Sequence, residues 1–181
     1  MTFCESKLSG VFEIRLQPHR DQRGFFARTW CETEFTEHGL TPNLVQCSIS
    51  FNPNKGTLRG IHYQGKPYQE SKLVRCTRGA IYDVAVDLRP GSPTFKRWTA
   101  AVLTAENHDM LYIPQGCAHG LLTLTDNSEV LYQISEFYHP ESAHGVRWDD
   151  PAFQIDWPEE VKVISERDRT YPDFDSVQCT F

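Results

Sequence analysis

Histidine titrates near neutrality, so a histidine held in a water-poor strand is the first place to look for acid–base chemistry. Of the seven histidines, His62 and His119 sit in apolar or glycine-flanked segments that read as strands. The other five, His19, His38, His108, His139 and His144, lie in polar surroundings. A single half-buried histidine is more often a satisfied core residue than a working one, so its neighbours decide. His62 lies in Gly56-Thr57-Leu58-Arg59-Gly60-Ile61-His62-Tyr63-Gln64. Strict alternation puts Gly60, His62 and Gln64 on one face of that strand and Arg59, Ile61 and Tyr63 on the other. A polar row on one face predicts a lined cavity. His119 closes Pro114-Gln115-Gly116-Cys117-Ala118-His119-Gly120, where Pro and Gly fix an abrupt turn into a strand.

Metal chemistry is a second possibility, because His62, His119 and Glu70 could supply three ligands. Gln64 is a poor donor for Zn or Fe, however, and the set lacks a certain carboxylate. Lys72 begins Lys72-Leu73-Val74-Arg75, so its ammonium either snorkels to water or points into a cavity. Tyr132, in Val130-Leu131-Tyr132-Gln133-Ile134, reads equally as a core filler or a buried donor. Asp168 follows a short helical stretch and, by itself, reads as a solvated acid. The six cysteines, Cys4, Cys31, Cys47, Cys76, Cys117 and Cys179, contain no C-x-x-C pair and read as free thiols.

Strands must position these groups. Short β-type runs recur between turn signals at Gly10 to Ile14, Leu44 to Ile49, Ala80 to Leu88, Met110 to Ile113 and Val130 to Ile134. Helical character is confined to Glu32 to His38, ended by Gly39, and to Ser165 to Asp168, where Ser165 caps the turn. That spacing predicts an all-β sandwich or barrel such as a jelly roll with an open mouth, carrying a few short accessory helices. With 181 residues and no repeat or linker, positions 1–181 read as one domain. A formal charge of −6 argues against broad nucleic-acid binding. The start MTFCESKLSG has no targeting pattern, and no segment has the length of a membrane span, so a soluble cytosolic protein is expected.

Several blocks together resemble a known family. Gly56 to Gly79 resembles the first cupin motif with Gln64 replacing its second histidine, and Pro114-x-Gly116-x-x-His119 resembles the second. More specifically, Asp21-Gln22-Arg23-Gly24-Phe25-Phe26, Arg59-Gly60-Ile61-His62-Tyr63-Gln64, Lys72-Leu73-Val74-Arg75, Asp83 to Arg89 and Trp148-Asp149-Asp150-Pro151 resemble the dTDP-4-dehydrorhamnose 3,5-epimerases, from about Gly10 to Pro172. The resemblance implies a cupin jelly roll that uses no metal or other cofactor. It implies epimerisation at C3, C5 or both of a nucleotide-linked 4-keto-6-deoxyhexose.

Inverting a carbon beside a ketone needs a base on one face, an acid on the other and positive charge at the oxygen that becomes an enolate. The resemblance implies His62 as base, Asp168 as the carboxylate that orients it, Lys72 at the keto oxygen and Tyr132 as the opposite acid. It implies that Arg23, Arg59 and His119 hold substrate, and that Phe26 and Tyr138 sandwich the nucleobase. A homodimer is also implied, with the N-terminal segment of one subunit completing the other's site. The chain departs from the family pattern at Arg28, usually Glu; at Gln46-Cys47-Ser48, usually Gln-x-Asn; at Ala143, usually Glu; and at Arg167, usually Lys. Thymine presents an N3–H donor, which Arg28 cannot accept, whereas cytosine presents acceptors at N3 and O2. Arg28 therefore either reads a different base, such as that of a CDP-linked hexulose, or turns outward, or bonds a thymine carbonyl or the diphosphate. A ligand-binding cupin without turnover is the other reading.

Overall fold

The computed structural model describes residues 1–174, so Cys179 lies outside the described residues. In chain order the elements are β1 (Thr2–Glu5), β2 (Phe12–Arg15), β3 (His19–Asp21), β4 (Gly24–Phe26), α1 (Glu32–Glu37), β5 (Gln46–Asn52), β6 (Thr57–Gln64) and β7 (Lys72–Arg78). There follow β8 (Ala80–Asp87), β9 (Trp98–Thr104), β10 (Met110–Ile113), β11 (Cys117–Thr123), β12 (Ser128–Ile134), β13 (Ala143–Gly145), β14 (Val163–Ile164) and α2 (Glu166–Arg169). One sheet runs β1-β2-β10-β7-β12-β5 and the other β13-β6-β11-β8-β9, with β14 added in parallel beside β6. This is the two-sheet sandwich expected from the spacing of strand and turn signals, with β3 and β4 forming a separate hairpin.

The central strands β8, β10 and β11 read as nearly continuous apolar runs because both their faces are covered. Every residue of β10 is buried. Leu111 and Ile113 point between the sheets, where they join Val74, Cys76 and Val130 against Ile81, Ala85, Leu103 and Leu121. Met110 and Tyr112 point the other way and pack on Phe35 of α1 and Leu40. On the outer face of the second sheet, Ile61, Val84 and Val86 are covered by Val146, Phe153 and Trp157 from the C-terminal segment. The helices therefore sit where expected: α1 shields one sheet, and α2 is capped by Ser165, whose hydroxyl accepts the Asp168 N–H at 3.1 Å.

The strict alternation expected along β6 does not hold. His119 pairs with His62 and Leu121 with Arg59, so one residue of β11 faces two of β6, a bulge at Gly60-Ile61. The extra residue shifts the phase of the strand, and Arg59 comes to line the same cavity as His62. Gly60 is required there: its φ is +133°, and a Cβ would stand 2.5 Å from the Gly120 Cα.

Candidate active site

The space between the sheets opens at one end into a cavity of about 690 Å³. Arg59, His62 and Gln64 on β6 and His119 on β11 line it from the second sheet. Gln46, Ser48 and Ser50 on β5, Lys72 on β7 and Tyr132 on β12 line it from the first. The short helix α2 adds Asp168. A titratable imidazole and a titratable phenol are thus carried on opposite walls.

His62 and Asp168, 106 positions apart in sequence, meet at 2.7 Å between Nε2 and Oδ1. The second carboxylate oxygen, Oδ2, accepts the Gly60 N–H at 3.0 Å. Burial works against ionisation of Asp168, but the bonds from His62, Gly60 and Ser165 together hold its carboxyl below the usual aspartate range. An ionised Asp168 only accepts hydrogen bonds, so Nε2 of His62 carries the proton and Nδ1 keeps a lone pair. Among the described residues Nδ1 has no hydrogen-bond partner, and the ring is 40% exposed to the cavity.

Tyr132 stands on the opposite wall, with its hydroxyl 3.2 Å from the Ser50 hydroxyl and its ring edge-on to His119. Desolvation pushes the phenol up to about 12, only partly opposed by Ser50 and Arg59, so it keeps its proton at neutral pH. Of the two readings open for Lys72, the cavity is the one observed. Its ammonium lies 2.8 Å from Glu70, and both side chains are 11% exposed. Glu70 is thereby engaged by a cation, and His62 and His119 are each tied to an aspartate. A base, a donor and a cation around one cavity suit proton transfer beside a carbonyl.

The model of the family described as dTDP-4-dehydrorhamnose 3,5-epimerase matches residues 5–176. The chain belongs to that family. A Sinorhizobium fredii relative called dTDP-4-dehydrorhamnose 3,5-epimerase is 40% identical over all of this chain and 93% of its own length. The crystal structure of the Elizabethkingia anophelis enzyme of that name superposes with a TM-score of 0.93 at 36% identity, covering 96% of each chain. A Legionella pneumophila enzyme solved in complex with dTDP-4-keto-L-rhamnose gives a TM-score of 0.85 at 36% identity, over 92% of this chain and 89% of that one. As a member of this family, the chain is an isomerase acting on a nucleotide-linked sugar.

Within this epimerase fold the other expected residues divide. Arg59 lines the cavity and donates to Asn52 at 2.7 Å. Tyr138, Ala143 and Arg167 line it as well, and the Tyr138 N–H donates to Gln46 at 3.2 Å. Arg23, Phe26 and Arg28 do not line it. Arg23 is paired with Asp21 on the β3–β4 hairpin, and Phe26 is 78% exposed. Arg28 lies 2.9 Å from Glu34, beside a smaller recess of about 220 Å³ that Phe26 also lines. Tyr63, His144, Ser50 and Asp83 escaped sequence reasoning. Tyr63, His144 and Ser50 line the cavity, and Asp83 holds His119. The signals available for Asp83 were its place within the apolar β8 and at the head of one block of the family resemblance.

Proposed function

We propose that the chain epimerises a dTDP-linked 4-keto-6-deoxyhexose at C3 and C5, with His62 as base and Tyr132 as acid. The observation that carries this reading is the placement of the His62–Asp168 pair and Tyr132 on opposite walls of one cavity. Nδ1 of His62 takes the proton beside the ketone, and Asp168 stabilises the imidazolium that forms. The ammonium of Lys72 meets the charge that develops on the keto oxygen. Tyr132 returns a proton from the other wall, which inverts the carbon. Repeating the sequence at the second carbon gives the doubly inverted sugar.

Binding uses Arg59 and His119, with Gln46, Ser48 and Arg167 at the rim and Tyr138 available to stack on the base. Arg23, Phe26 and Arg28 work in the site of a partner in a homodimer. Their position on or just after an exposed hairpin outside their own cavity supports that role, as does the cross-subunit arrangement implied by the family resemblance. The thymidine nucleotide is supported by the Sinorhizobium fredii and Legionella pneumophila relatives, the one named for and the other solved with a dTDP-linked sugar. The chain functions as one domain in the cytoplasm. Among the described residues no helix is long and apolar enough to cross a membrane.

Incubating the enzyme with dTDP-4-keto-6-deoxyglucose in deuterated water tests the reading. Deuterium should enter C3 and C5 as the sugar inverts, as followed by NMR. A bound but unexchanged sugar would make the protein a binder instead.

A further inference from the structure

The mechanism so far gives the base His62 a carboxylate partner and gives the acid Tyr132 no charged one. Yet a second histidine–aspartate pair stands directly across the strand. His119 is the register partner of His62. On its other side His119 pairs with Ala85 of β8, which makes Asp83 its diagonal neighbour. Nε2 of His119 lies 2.7 Å from Oδ1 of Asp83, with the two side chains 6% and 0% exposed. The other oxygen, Oδ2, is buried and has no hydrogen-bond partner among the described residues. Asp83 occupies the same face of β8 as Ile81 and Ala85, in the apolar space between the sheets. Among the described residues His119 is the one hydrogen-bond partner of this buried carboxyl group, so what holds it in place is that ring.

The ring of His119 stands edge-on to that of Tyr132, centroids 6.0 Å apart and planes at 72°. We propose that Asp83 is a positioning residue for the acid: it holds His119 as an imidazolium against Tyr132, so that the phenolate left after proton donation is met by a fixed cation. The inference rests on the proposed function and extends it to a residue with no assigned role. In the step itself the Tyr132 O–H bond breaks, its electron pair stays on oxygen and the proton forms the new C–H bond. The proton taken from substrate remains on His62. Exchange with water then removes it from His62 and restores the one on Tyr132, so nothing is consumed.

The surroundings of Tyr132 explain why such a partner is needed. Its phenol is buried, and the negative charge of Asp83 on its own disfavours ionisation further. With protons on both ring nitrogens, His119 offsets that charge and sets its own cation beside the phenol ring. Of the other ionisable groups lining the cavity, Arg59 on β6 favours the phenolate, Lys72 on β7 is paired with Glu70, and His62 is paired with Asp168.

Asp83→Asn tests the proposal, because the amide keeps the shape but cannot hold an imidazolium. With dTDP-4-keto-6-deoxyglucose in deuterated water, kcat for inversion should fall at least tenfold while KM stays within threefold. Deuterium wash-in to unreacted substrate should persist, so the ratio of wash-in to inversion should rise at least tenfold. His119→Gln should raise the ratio of wash-in to inversion likewise, with KM also rising because His119 contacts substrate, and the double variant should have a kcat no worse than that of His119→Gln alone. If Asp83→Asn does not fold, the ratio of wash-in to inversion in His119→Gln carries the prediction. A rise in KM with kcat unchanged would make the pair a substrate clamp and overturn the proposal. So would wash-in and inversion falling together. Wild-type enzyme that exchanges no deuterium at all would instead overturn the reading of the site on which the proposal depends.

Discussion

Replacing Asp168 by Asn probes the base with little change of shape. Its carbonyl oxygen can still accept the Gly60 N–H, a bond of 3.0 Å in the native site. The amide nitrogen then faces Nε2 of His62, where the carboxylate stood at 2.7 Å. An amide N–H donates, so Nε2 must accept and the ring proton moves to Nδ1, the atom that should take the substrate's proton. The same exchange also removes the charge that stabilises the imidazolium. Loss of the correct tautomer in a histidine–carboxylate pair costs about 10⁴-fold in a serine protease, and loss of a general base costs roughly 10²-fold or more. We expect turnover to fall by about 10³- to 10⁴-fold, or about 4–5.5 kcal/mol of barrier. Deuterium wash-in should fall equally, because abstraction itself is lost. Melting should shift little, since the Gly60 and Ser165 contacts survive. His62→Ala should lose at least about a hundredfold, and His62→Ala/Asp168→Asn should be scarcely worse than either single variant. Asp168→Asn with more than a tenth of native wash-in would refute the assignment of Nδ1 as base.

Tyr132→Phe should keep wash-in and lose inversion, because the ring still packs in the core while the donor is gone; NMR that shows both lost would place Tyr132 on the base side. Lys72→Met should lower kcat by hundreds-fold, the equivalent of about 3 kcal/mol for a donor aimed at developing charge. A loss under tenfold would remove Lys72 from the keto oxygen. Gly60→Ala should destabilise the fold by at least about 2 kcal/mol in urea titration, since the new methyl meets the Gly120 backbone at 2.5 Å. Stability should also fall in acid below about pH 4. Burial opposes ionisation of Asp87, but bonds from Arg89, Ser92 and Thr94 prevail and hold its carboxyl low. The unfolded chain therefore binds the proton first, so the stabilisation is full above the ordinary aspartate pKa and fades as pH drops through the depressed one. Asp87→Asn should lower stability at neutral pH and flatten this acid limb in melting curves recorded from pH 7 to 3.

The sandwich was legible because turn signals separate short apolar runs, and the two helices because Ser165 and Gly39 mark their ends. Glycine-flanked strand contexts singled out His62 and His119, and both line the cavity. Other features depend on distance in the chain. Asp168 reads locally as a solvated acid, and only the family resemblance pairs it with a residue 106 positions away. Arg59 was assigned to the wrong face because period-two reasoning cannot see a bulge, which is set by how β6 meets β11. Asp83 was overlooked as a working residue because an apolar run names a strand and does not say which polar member faces a partner. Phe26 and Arg28, read as substrate-binding, lie away from the cavity of their own chain, and only the family resemblance, which sends the N-terminal segment to a partner's site, offers a place for them to act.

Whether the two walls act as separate acid and base is best tested by a single turnover in deuterated water, using enzyme in excess over protiated dTDP-4-keto-6-deoxyglucose. Tyr132 exchanges its hydroxyl proton with solvent before substrate arrives, whereas His62 receives only the substrate's own proton. The account predicts full deuterium at each inverted carbon from the first turnover. Inverted product that retains the substrate's own hydrogen at C3 or C5 would mean that one group serves both faces, and would contradict it.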